Sequence, residues 1–224
     1  MASKISLKTV VFMGSARNCT PPWGGEARLG DRVLKHVVDA LKSRTTVLGS
    51  DEVKHEVTVY DPLQVFGPGG ALEGDGQLST PHFFLKAGTS AKMDEMAATI
   101  KAADGILIVT AEYNHTMPPA LTSLMGHFGG SNFKLKPSAI VTYSPGPWGG
   151  MRAAMSARPF LSELGCLPVA KLTGYSMPAD LFNEDGTPKD PAHRMLKQLP
   201  AMLGELEWMA VAMMKMRQSA GEPA

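Results

Sequence analysis

Short apolar segments rich in β-branched residues alternate with segments of helical periodicity along this chain of 224 residues. The five β-prone segments are 5–13, 56–60, 105–110, 138–143 and 167–172. The third and fourth alternate too little with polar residues to keep one face in water, so they are predicted to be covered on both faces. Repeated strand–helix alternation predicts a parallel sheet wrapped by helices and joined by right-handed crossovers.

Leucine and valine residues between the first two strands recur at helical spacing over 29–41 and predict the first helix. Further helices are predicted over 94–103, 120–128, 150–165 and 191–217. Pro119 suits the start of the third helix, because proline in a first turn loses no internal hydrogen bond. Pro159 is expected to kink or divide the fourth helix, since it lacks a backbone donor.

Two segments lengthen the simple repeat without dividing the chain into domains. Segment 18–25 extends the turn after the first strand. Segment 62–90 is rich in glycine and proline and is predicted to form a long surface insertion, which in a compact domain is functional or mobile. No internal repeat or compositional boundary marks a second domain, so one domain over 1–224 is expected, with 219–224 as a frayed tail.

The composition favours an ordinary folded protein and argues against several classes of function. Hydrophobic residues make up 44% and charged residues 19%, which provides a packed core. The 22 Lys+Arg and 21 Asp+Glu residues give a net charge of +1, whereas a nucleic-acid-binding protein is expected to be basic. No apolar run approaches the roughly 18 residues that span a bilayer, and segment 10–13 is too short for a signal-peptide core. A cytoplasmic location is therefore expected.

Cysteine and histidine spacing indicates neither a disulfide framework nor a metal site. The two cysteines, Cys19 and Cys166, are far apart and form no CxxC motif. The six histidines show no HExxH or comparable ligand spacing. No bound metal is expected.

The loop after the first strand has the features of a phosphate site. In open parallel sheets, ligands bind beyond the carboxyl ends of the strands, where the strand order reverses. The Ser15 hydroxyl, the Arg17 guanidinium and free amides near the next helix would suit a phosphate monoester. Neither a Walker loop nor a GxGxxG fingerprint is present. An ordinary strand–helix turn with a solvated arginine explains the same residues equally well.

The loop after the third strand combines polar side chains with two stiffening prolines. Tyr113 and Asn114 offer hydrogen bonds to the edge of a flat heterocycle, and their place at a strand end favours binding. The alternative is a polar loop in which Thr116 caps the next helix and Tyr113 packs.

The loop after the fourth strand contains three glycines and two prolines within 144–150. The exposed amides of Gly149 and Gly150 could hold the polar edge of a cofactor ring, and Trp148 could flank its face. A tight turn in which Trp148 closes a hydrophobic corner is the alternative.

The three loops, taken in order, resemble those of the NAD(P)H-dependent FMN reductases of the flavodoxin-like superfamily, which include quinone, azo-dye and chromate reductases. The resemblance covers nearly the whole chain. The family's phosphate loop is similar to Gly14-Ser15-x-Arg17. Its E-Y-N-x-S-x-P signature is similar to Glu112-Tyr113-Asn114-x-Thr116-x-Pro118. Its second ring-contacting loop is similar to Gly149-Gly150-x-Arg152-Ala153.

This resemblance implies a flavodoxin-like three-layer α/β/α sandwich with a five-stranded parallel sheet. It implies bound FMN, with NADPH or NADH as hydride donor and free flavin, a quinone or an azo compound as the small acceptor. One shared site for donor and acceptor implies ping-pong kinetics. The flavin carries the chemistry, so no catalytic side chain is expected. A homodimer or homotetramer is also implied.

The resemblance also assigns cofactor-binding residues. Glu112 is expected to position the flavin rather than transfer a proton. Segment 18–27 is longer than in the family, so Thr20 or Arg28 replaces the usual second phosphate contact. The expected contacts are Ser15, Arg17, and Thr20 or Arg28 at the phosphate; Glu112, Tyr113, Asn114, His115 and Thr116 on one side of the ring; and Ser144, Gly146, Trp148, Gly149 and Gly150 on the other.

Two other classes of protein share the scaffold. A flavodoxin-type electron carrier would bind the same cofactor without NAD(P)H activity, but such carriers are usually acidic and this chain has a net charge of +1. A flavin-free interaction module would not be stabilised by FMN.

Overall fold

Parallel strands alternate with helices through residues 3–17 and 28–222, which a computed structural model describes. Predictions on 18–27, including the phosphate contact of Thr20, lie outside the described residues. The strands are β1 (Lys4–Met13), β2 (Thr46–Leu48), β3 (Asp51–Tyr60), β4 (Gly105–Ala111), β5 (Pro137–Ser144), β6 (Leu167–Pro168) and β7 (Thr173–Ser176). The helices are α1 (Leu29–Ser43), α2 (Pro62–Val65), α3 (Ala91–Ala102), α4 (Pro119–Gly126), α5 (Gly130–Phe133), α6 (Met151–Glu163), α7 (Pro178–Leu181) and α8 (Gln198–Ala220), with 3₁₀ turns at His82–Phe84 and Arg194–Lys197.

The order of the strands gives the sheet one point at which its connectivity reverses. Strands run in the order β2-β3-β1-β4-β5, and both β6 and β7 pair with β5. In β1, Val11 pairs in parallel with Val59 on one side and with Leu107 on the other. The chain therefore builds outward from β1 through β3 and then crosses to β4. This is the strand order of flavodoxin-like folds, whose ligand site lies at that reversal.

Apolar side chains of the central strands alternate between two helical layers. Val10, Phe12 and Ile108 belong to a buried cluster with α3, α4 and α6. Val11 and Val109 belong to a second cluster, formed with α1 and α8. Helices thus cover both faces of the sheet, as strands buried on both faces require. The predicted three-layer α/β/α arrangement is confirmed.

The prediction of a purely parallel, five-stranded sheet is wrong at both edges of the sheet. One edge carries an additional antiparallel strand. Strand β2 pairs antiparallel with β3, with Thr46 opposite Val53. A two-residue turn joins them, and Gly49 in it has φ +64°. The second predicted strand, 56–60, also begins earlier, at Asp51. Asp51, Glu52, Lys54 and Glu56 interrupt the first half of β3, so this segment lacked the apolar run by which the buried strands were found.

The opposite edge differs too, because two short strands replace the predicted strand 167–172. Pro168 in β6 pairs with Ser138, and Thr173 in β7 pairs with Val141 further along the same edge of β5. Leu167 and Val169 donate their amides to the Lys136 and Ser138 carbonyls at 2.8 Å each, so Pro168 occupies a position whose amide the ladder does not need. Ala170 and Lys171, between the two strands, are exposed, and Glu205 of α8 accepts a hydrogen bond from the Lys171 amide.

Two helix predictions also change. Helix α6 runs undivided through Pro159, whose missing donor would have bonded the carbonyl of the exposed Met155. Helix α8 begins at Gln198 rather than 191, after the 3₁₀ turn, and continues to Ala220, two residues into the predicted tail.

Segment 62–90 packs against the end of α4. The His82 amide donates to the His127 carbonyl at 2.8 Å. The His127 imidazole Nε2 lies 3.2 Å from Asp75 Oδ2, and Leu72 is buried in the core. The surface insertion is thus attached by both backbone and side-chain hydrogen bonds.

Within 3–17 and 28–222, no helix combines the length and apolar character that a membrane span requires. The same part of the chain holds no group of three or more histidine, cysteine or acidic side chains arranged for a metal ion. Cys166 is a buried free thiol, and burial raises its pKa to about 12.

Candidate active site

A cavity of about 180 Å³ opens where the strand order reverses, beyond the carboxyl ends of β1, β4 and β5. Loops after all three strands contribute to it, as the sequence predicts. Its walls are formed by Ser15, Arg17, Arg28, Leu29, Gly30, Ala111, Glu112, Tyr113, Tyr143, Ser144 and Pro145.

The loops after β1 and β4 meet through a pair of hydroxyl groups. Ser15 Oγ lies 2.6 Å from the Tyr113 hydroxyl, and the Arg17 amide donates to Ser15 Oγ at 3.4 Å. The Arg17 guanidinium carbon lies 3.8 Å from the centre of the Tyr113 ring, a cation–π contact. Arg17 is otherwise exposed, so its charge is accessible to an anion at the mouth of the cavity.

Arg28 is buried and its side chain is held by three neighbours. Its Nη1 donates to the Ser15 carbonyl at 2.6 Å and to Asp61 at 3.1 Å, and its Nε donates to Asp31 at 2.8 Å. Its Nη2 contacts both carboxylates. Burial lowers the pKa of Arg28, but hydrogen bonds to Asp61 and Asp31 outweigh it and raise that pKa. Arg28 therefore joins the first loop to the starts of α1 and α2.

Two glycines allow the elements around the cavity to approach each other closely. A Cβ atom on Gly14 would lie 2.4 Å from Thr110 Oγ1, and one on Gly30 would lie 2.1 Å from the Tyr143 hydroxyl. Burial raises the pKa of Tyr143, so its hydroxyl stays protonated at neutral pH. Tyr143 thus forms part of the wall as a neutral hydrogen-bonding aromatic group.

Glu112 is engaged with the start of α6. Its carboxylate accepts hydrogen bonds from the Arg152 amide at 3.0 Å and the Ala153 amide at 3.4 Å, and Arg152 Nε donates to it at 2.9 Å. A carboxylate at a helix N-terminus satisfies free amides and the helix dipole. Glu112 therefore fixes the loop after β4 against the loop after β5.

Asn114 and His115 form the tip of a tight turn. Tyr113 and Thr116 exchange two backbone hydrogen bonds, at 2.9 and 3.0 Å. The φ angles of Asn114 and His115 are +49° and +67°, the pattern of a type I′ turn. Thr116 does not cap the next helix, whose N-cap is Pro118; its hydroxyl donates to Ser156 Oγ instead.

The glycines after β5 form the sharp turn into α6. Gly149 and Gly150 are buried, with φ +60° and +78°. A Cβ atom on Gly150 would lie 2.9 Å from Thr142 Cβ and 3.0 Å from the Tyr143 backbone. Trp148 is 67% exposed and does not close a hydrophobic corner. Only Ser144 of the predicted residues in this loop lines the cavity, and Gly146 lines a neighbouring one.

The cavity walls therefore contain part of the predicted set, together with residues that sequence analysis missed. Tyr143 could have been predicted, because it is the aromatic residue that ends the fourth predicted strand. Gly30 could not, because it closely follows segment 18–27, whose conformation the sequence does not predict. Predicted residues in the walls are Ser15, Arg17, Arg28, Glu112, Tyr113 and Ser144; those outside them are Asn114, His115, Thr116, Gly146, Trp148, Gly149 and Gly150; the additional wall residues are Leu29, Gly30, Ala111, Tyr143 and Pro145.

Solved structures share this fold. A flavoenzyme NAD(P)H:(acceptor) oxidoreductase, FerB from Paracoccus denitrificans, superposes with a TM-score of 0.60 at 18% identity, covering 93% of this chain and 98% of that one. An oxidoreductase from Corynebacterium diphtheriae gives 0.61 at 14% identity, covering 92% and 98%. With the strand order and the site at its reversal, these neighbours define a flavodoxin-like α/β protein.

Residues 7–177 match the model of the NADPH-dependent FMN reductase family. The chain belongs to this family. The family predicted from the three loops is thus confirmed, and the family's description names both FMN and NADPH.

Curated relatives match over shorter stretches. The NADPH azoreductase of Bacillus sp. strain OY1-2 is 29% identical over 112 residues, 49% of this chain and 62% of that protein. A quinone reductase of Pseudomonas putida strain KT2440 is 33% identical over 106 residues, 44% of this chain and 55% of that protein. The NADH-dependent flavin reductase subunit 2 of Lactobacillus johnsonii is 34% identical over 87 residues, 36% of this chain and 47% of that protein. The chain therefore spans about half to three-fifths of the relatives it matches.

Proposed function

We propose that this protein is an FMN-dependent NAD(P)H oxidoreductase that passes electrons from NADPH or NADH to a small acceptor. The observation that carries the proposal is the cavity at the strand reversal, with Ser15, Arg17 and Tyr113 in one wall. Its position is that of the ligand site in flavodoxin-like folds, and the chain belongs to a family of FMN reductases.

The chemistry of the cavity wall fits FMN. The Ser15 hydroxyl and the exposed Arg17 guanidinium supply a donor and a positive charge for a phosphate. Tyr113, whose hydroxyl lies beside Ser15, and Tyr143 add aromatic surface, and Leu29 and Pro145 add apolar surface for a flat ring. A cavity that combines anion-binding groups with aromatic and apolar surface suits a phosphorylated flavin better than a purely charged ligand.

The residues around the cavity then have distinct roles. Ser15 and Arg17 bind the phosphate, whereas Arg28 positions the Ser15 backbone because its own donors are occupied. Glu112 positions the two ring-facing loops against each other and transfers no proton. The ring is held by the exposed turn Tyr113–Thr116 on one side and by the loop 144–150 on the other, with Trp148 near its face.

FMN held by these residues would supply the redox chemistry, which is hydride acceptance from the nicotinamide and transfer of two electrons to the acceptor. For a quinone acceptor the overall reaction balances as NAD(P)H, one solvent proton and the quinone giving NAD(P)⁺ and the hydroquinone. The chain contributes binding and orientation, so no side chain is assigned as acid or base. Successive use of one opening by donor and acceptor predicts ping-pong kinetics.

The acceptor is a quinone, an azo compound or free flavin. Relatives named for each of these activities support this range, and none of them selects one acceptor for this chain. Initial rates measured over a grid of donor and acceptor concentrations test the mechanism: parallel double-reciprocal lines are expected, and intersecting lines would exclude the ping-pong scheme.

The decisive experiment uses the purified protein under argon. We expect a yellow protein, or one that gains thermal stability on adding FMN, whose visible absorbance bleaches when NADPH or NADH is added. A yellow protein that stays yellow would be an electron carrier. A colourless protein that FMN does not stabilise would be a flavin-free module.

Assembly and location stay predictions. A homodimer or homotetramer is expected from the family resemblance, and analytical ultracentrifugation distinguishes either from a monomer. A cytoplasmic location is tested by fractionation of the native source.

A further inference from the structure

A second cavity, of about 400 Å³, adjoins the first. Leu29 and Pro145 line both cavities, so the two share a wall at the end of β5. The remaining lining residues come from the loop after β5 and from the start of α7. They are Gly146, Met177, Pro178, Ala179 and Asp180.

The lining of this second cavity is apolar with one carboxylate. Leucine, prolines, alanine and methionine form its surface, and no lysine or arginine is among them. Met177 is 46% exposed, and its flexible thioether can adapt to irregular apolar partners. Such a surface suits a flat, hydrophobic molecule rather than a phosphate-bearing one.

Asp180 gives the cavity a negative rim. Its carboxylate makes no ion pair or side-chain hydrogen bond with any described residue, and its amide bonds Met177. Lys189 lies beside α7, and it donates its ammonium to the Ala179 carbonyl at 2.8 Å instead of to Asp180. An anionic ligand would therefore meet an unpaired negative charge at this rim.

Met177 is held in an unusual conformation beside the first cavity. Its φ and ψ angles are +47° and +56°, the left-handed region that non-glycine residues seldom adopt. Its amide donates to the Ser144 carbonyl at 2.9 Å, which extends the β5–β7 pairing by one residue. Residues held in this region concentrate at ligand-binding sites, where the surrounding structure enforces the conformation. Here the conformation places residue 177 at the junction of β7 and α7.

We propose that the second cavity binds the aromatic body of the electron acceptor and selects neutral or cationic aromatic acceptors over anionic ones. This inference rests on the proposed oxidoreductase function. Met177 supplies the adaptable apolar contact and Asp180 the charge selection. The acceptor gains two electrons and two protons in the reaction already balanced above, and no new reactant is required. The nicotinamide ring uses the shared opening at the first cavity in its own turn, and the phosphates of the dinucleotide lie outside the second cavity.

The charge selection is tested with a matched pair of acceptors that share one quinone nucleus, 1,2-naphthoquinone and the anionic 1,2-naphthoquinone-4-sulfonate. Asp180→Asn is expected to raise kcat/KM for the sulfonate by about two- to fivefold at low salt, as removal of an exposed like charge allows. The measured quantity is the ratio of kcat/KM for the sulfonate to kcat/KM for the neutral quinone, which carries no charge for Asp180 to repel. The KM for NADPH tests whether the dinucleotide uses the same cavity. The gain should disappear in 0.5 M NaCl, because salt screens exposed charges.

The apolar contact is tested with Met177→Ala, in binding as well as in turnover. Isothermal titration of the neutral quinone into the protein is expected to show about fivefold weaker binding, since part of a methionine contact is lost. Met216→Ala removes a similarly exposed methionine from the far end of α8 and is expected to change nothing. Glu52→Gln, at the opposite end of the sheet, is the charge control for Asp180→Asn.

The outcomes separate this inference from the function it rests on. An enzyme that reduces quinones but shows the same charge preference with and without Asp180 would overturn the inference alone. A changed KM for NADPH in Asp180→Asn would assign the cavity to the dinucleotide and also overturn it. Absence of bleaching by NADPH and NADH would overturn the proposed function, and the inference with it.

Discussion

The Ser15 and Tyr113 hydroxyl groups lie 2.6 Å apart and join the loops that follow β1 and β4. The contact crosses the line at which the strand order reverses, so it fixes the two sides of the cavity relative to each other. Since Arg17 lies over the same ring, Tyr113 organises the proposed phosphate-binding end of the site.

Removing the Tyr113 hydroxyl is expected to weaken FMN binding. Tyr113→Phe keeps the ring for Arg17 but frees the Ser15 hydroxyl, at a cost of about 1 kcal/mol or roughly fivefold in Kd. Titration of flavin-free protein with FMN, followed by flavin fluorescence, measures the change. Tyr60→Phe, a half-buried tyrosine on β3, is the control and should leave Kd unaltered. Equal affinities for Tyr113→Phe and wild type would remove Tyr113 from the phosphate-binding end.

Replacing the Glu112 carboxylate is expected to leave turnover largely intact. The carboxylate is fully engaged with the Arg152 and Ala153 amides, and Glu112→Gln keeps an oxygen that can accept one of these bonds. We expect a loss in FMN affinity of about three- to tenfold, with kcat at saturating flavin within about twofold of wild type. Steady-state kinetics at several FMN concentrations separates the two quantities. If Glu112→Gln abolished turnover while flavin stayed bound, Glu112 would be a proton donor or acceptor and the positioning role would be wrong.

Neutralising Asp61 is expected to destabilise the protein strongly. The buried Arg28 would keep only one carboxylate partner, and leaving a buried charge poorly compensated costs roughly 2 to 4 kcal/mol. Asp61→Asn retains the side-chain oxygen that accepts the Leu63 amide at the start of α2, so the helix cap is preserved.

Urea unfolding monitored by circular dichroism measures this change in the free energy of unfolding. Glu205→Gln breaks the more exposed pair with Lys171 and is expected to cost under about 1 kcal/mol. Equal losses in the two variants would show that burial of Arg28 does not determine the cost.

Acid is expected to destabilise the protein through His36. This imidazole lies against Tyr175 and Phe182, with ring centres 6.0 and 4.5 Å away, and burial lowers its pKa below the ordinary value of 6.5. Below pH 6.5 the His36 side chain therefore binds a proton more readily in the unfolded chain than in the folded one. The contribution of His36 to the free energy of unfolding is complete above pH 6.5 and falls as the pH drops below it.

Free energies of unfolding at pH 7.5 and pH 5.5 test the assignment. The His36→Gln variant is expected to lose less stability between these two pH values than wild type, because its side chain does not titrate. His115→Gln, at an exposed turn, should retain the wild-type pH dependence. An unchanged pH dependence in His36→Gln would show that another group is responsible.

The sequence was most informative where burial leaves the fewest choices. Strand β4 was predicted at 105–110 and found at Gly105–Ala111, and β5 was predicted at 138–143 and found at Pro137–Ser144, because strands buried on both faces carry uninterrupted apolar runs. The half-exposed start of β3 and the edge strand β2 lack that signal. They were therefore missed or shortened.

At the site, the order of the three loops was predictable but their side-chain contacts were not. Arg28 was predicted, as an alternative to Thr20, to replace the family's usual second phosphate contact, yet its donors are occupied by Asp31, Asp61 and the Ser15 carbonyl. Residues so far apart in sequence meet only through the packing of β3 against β1, which local pattern does not encode. Whether the glycines after β5 contact the flavin stays a prediction.

The ion pair between Arg28 and Asp61 has a consequence for how such sites diversify. Asp61 is the last residue before segment 62–90, and through Arg28 it determines where the Ser15 carbonyl lies. The first residues of the surface insertion are therefore mechanically coupled to the rim of the ligand cavity. Changes in the length or sequence of that segment can therefore alter the shape of the cavity near Ser15 without any change in the central strands.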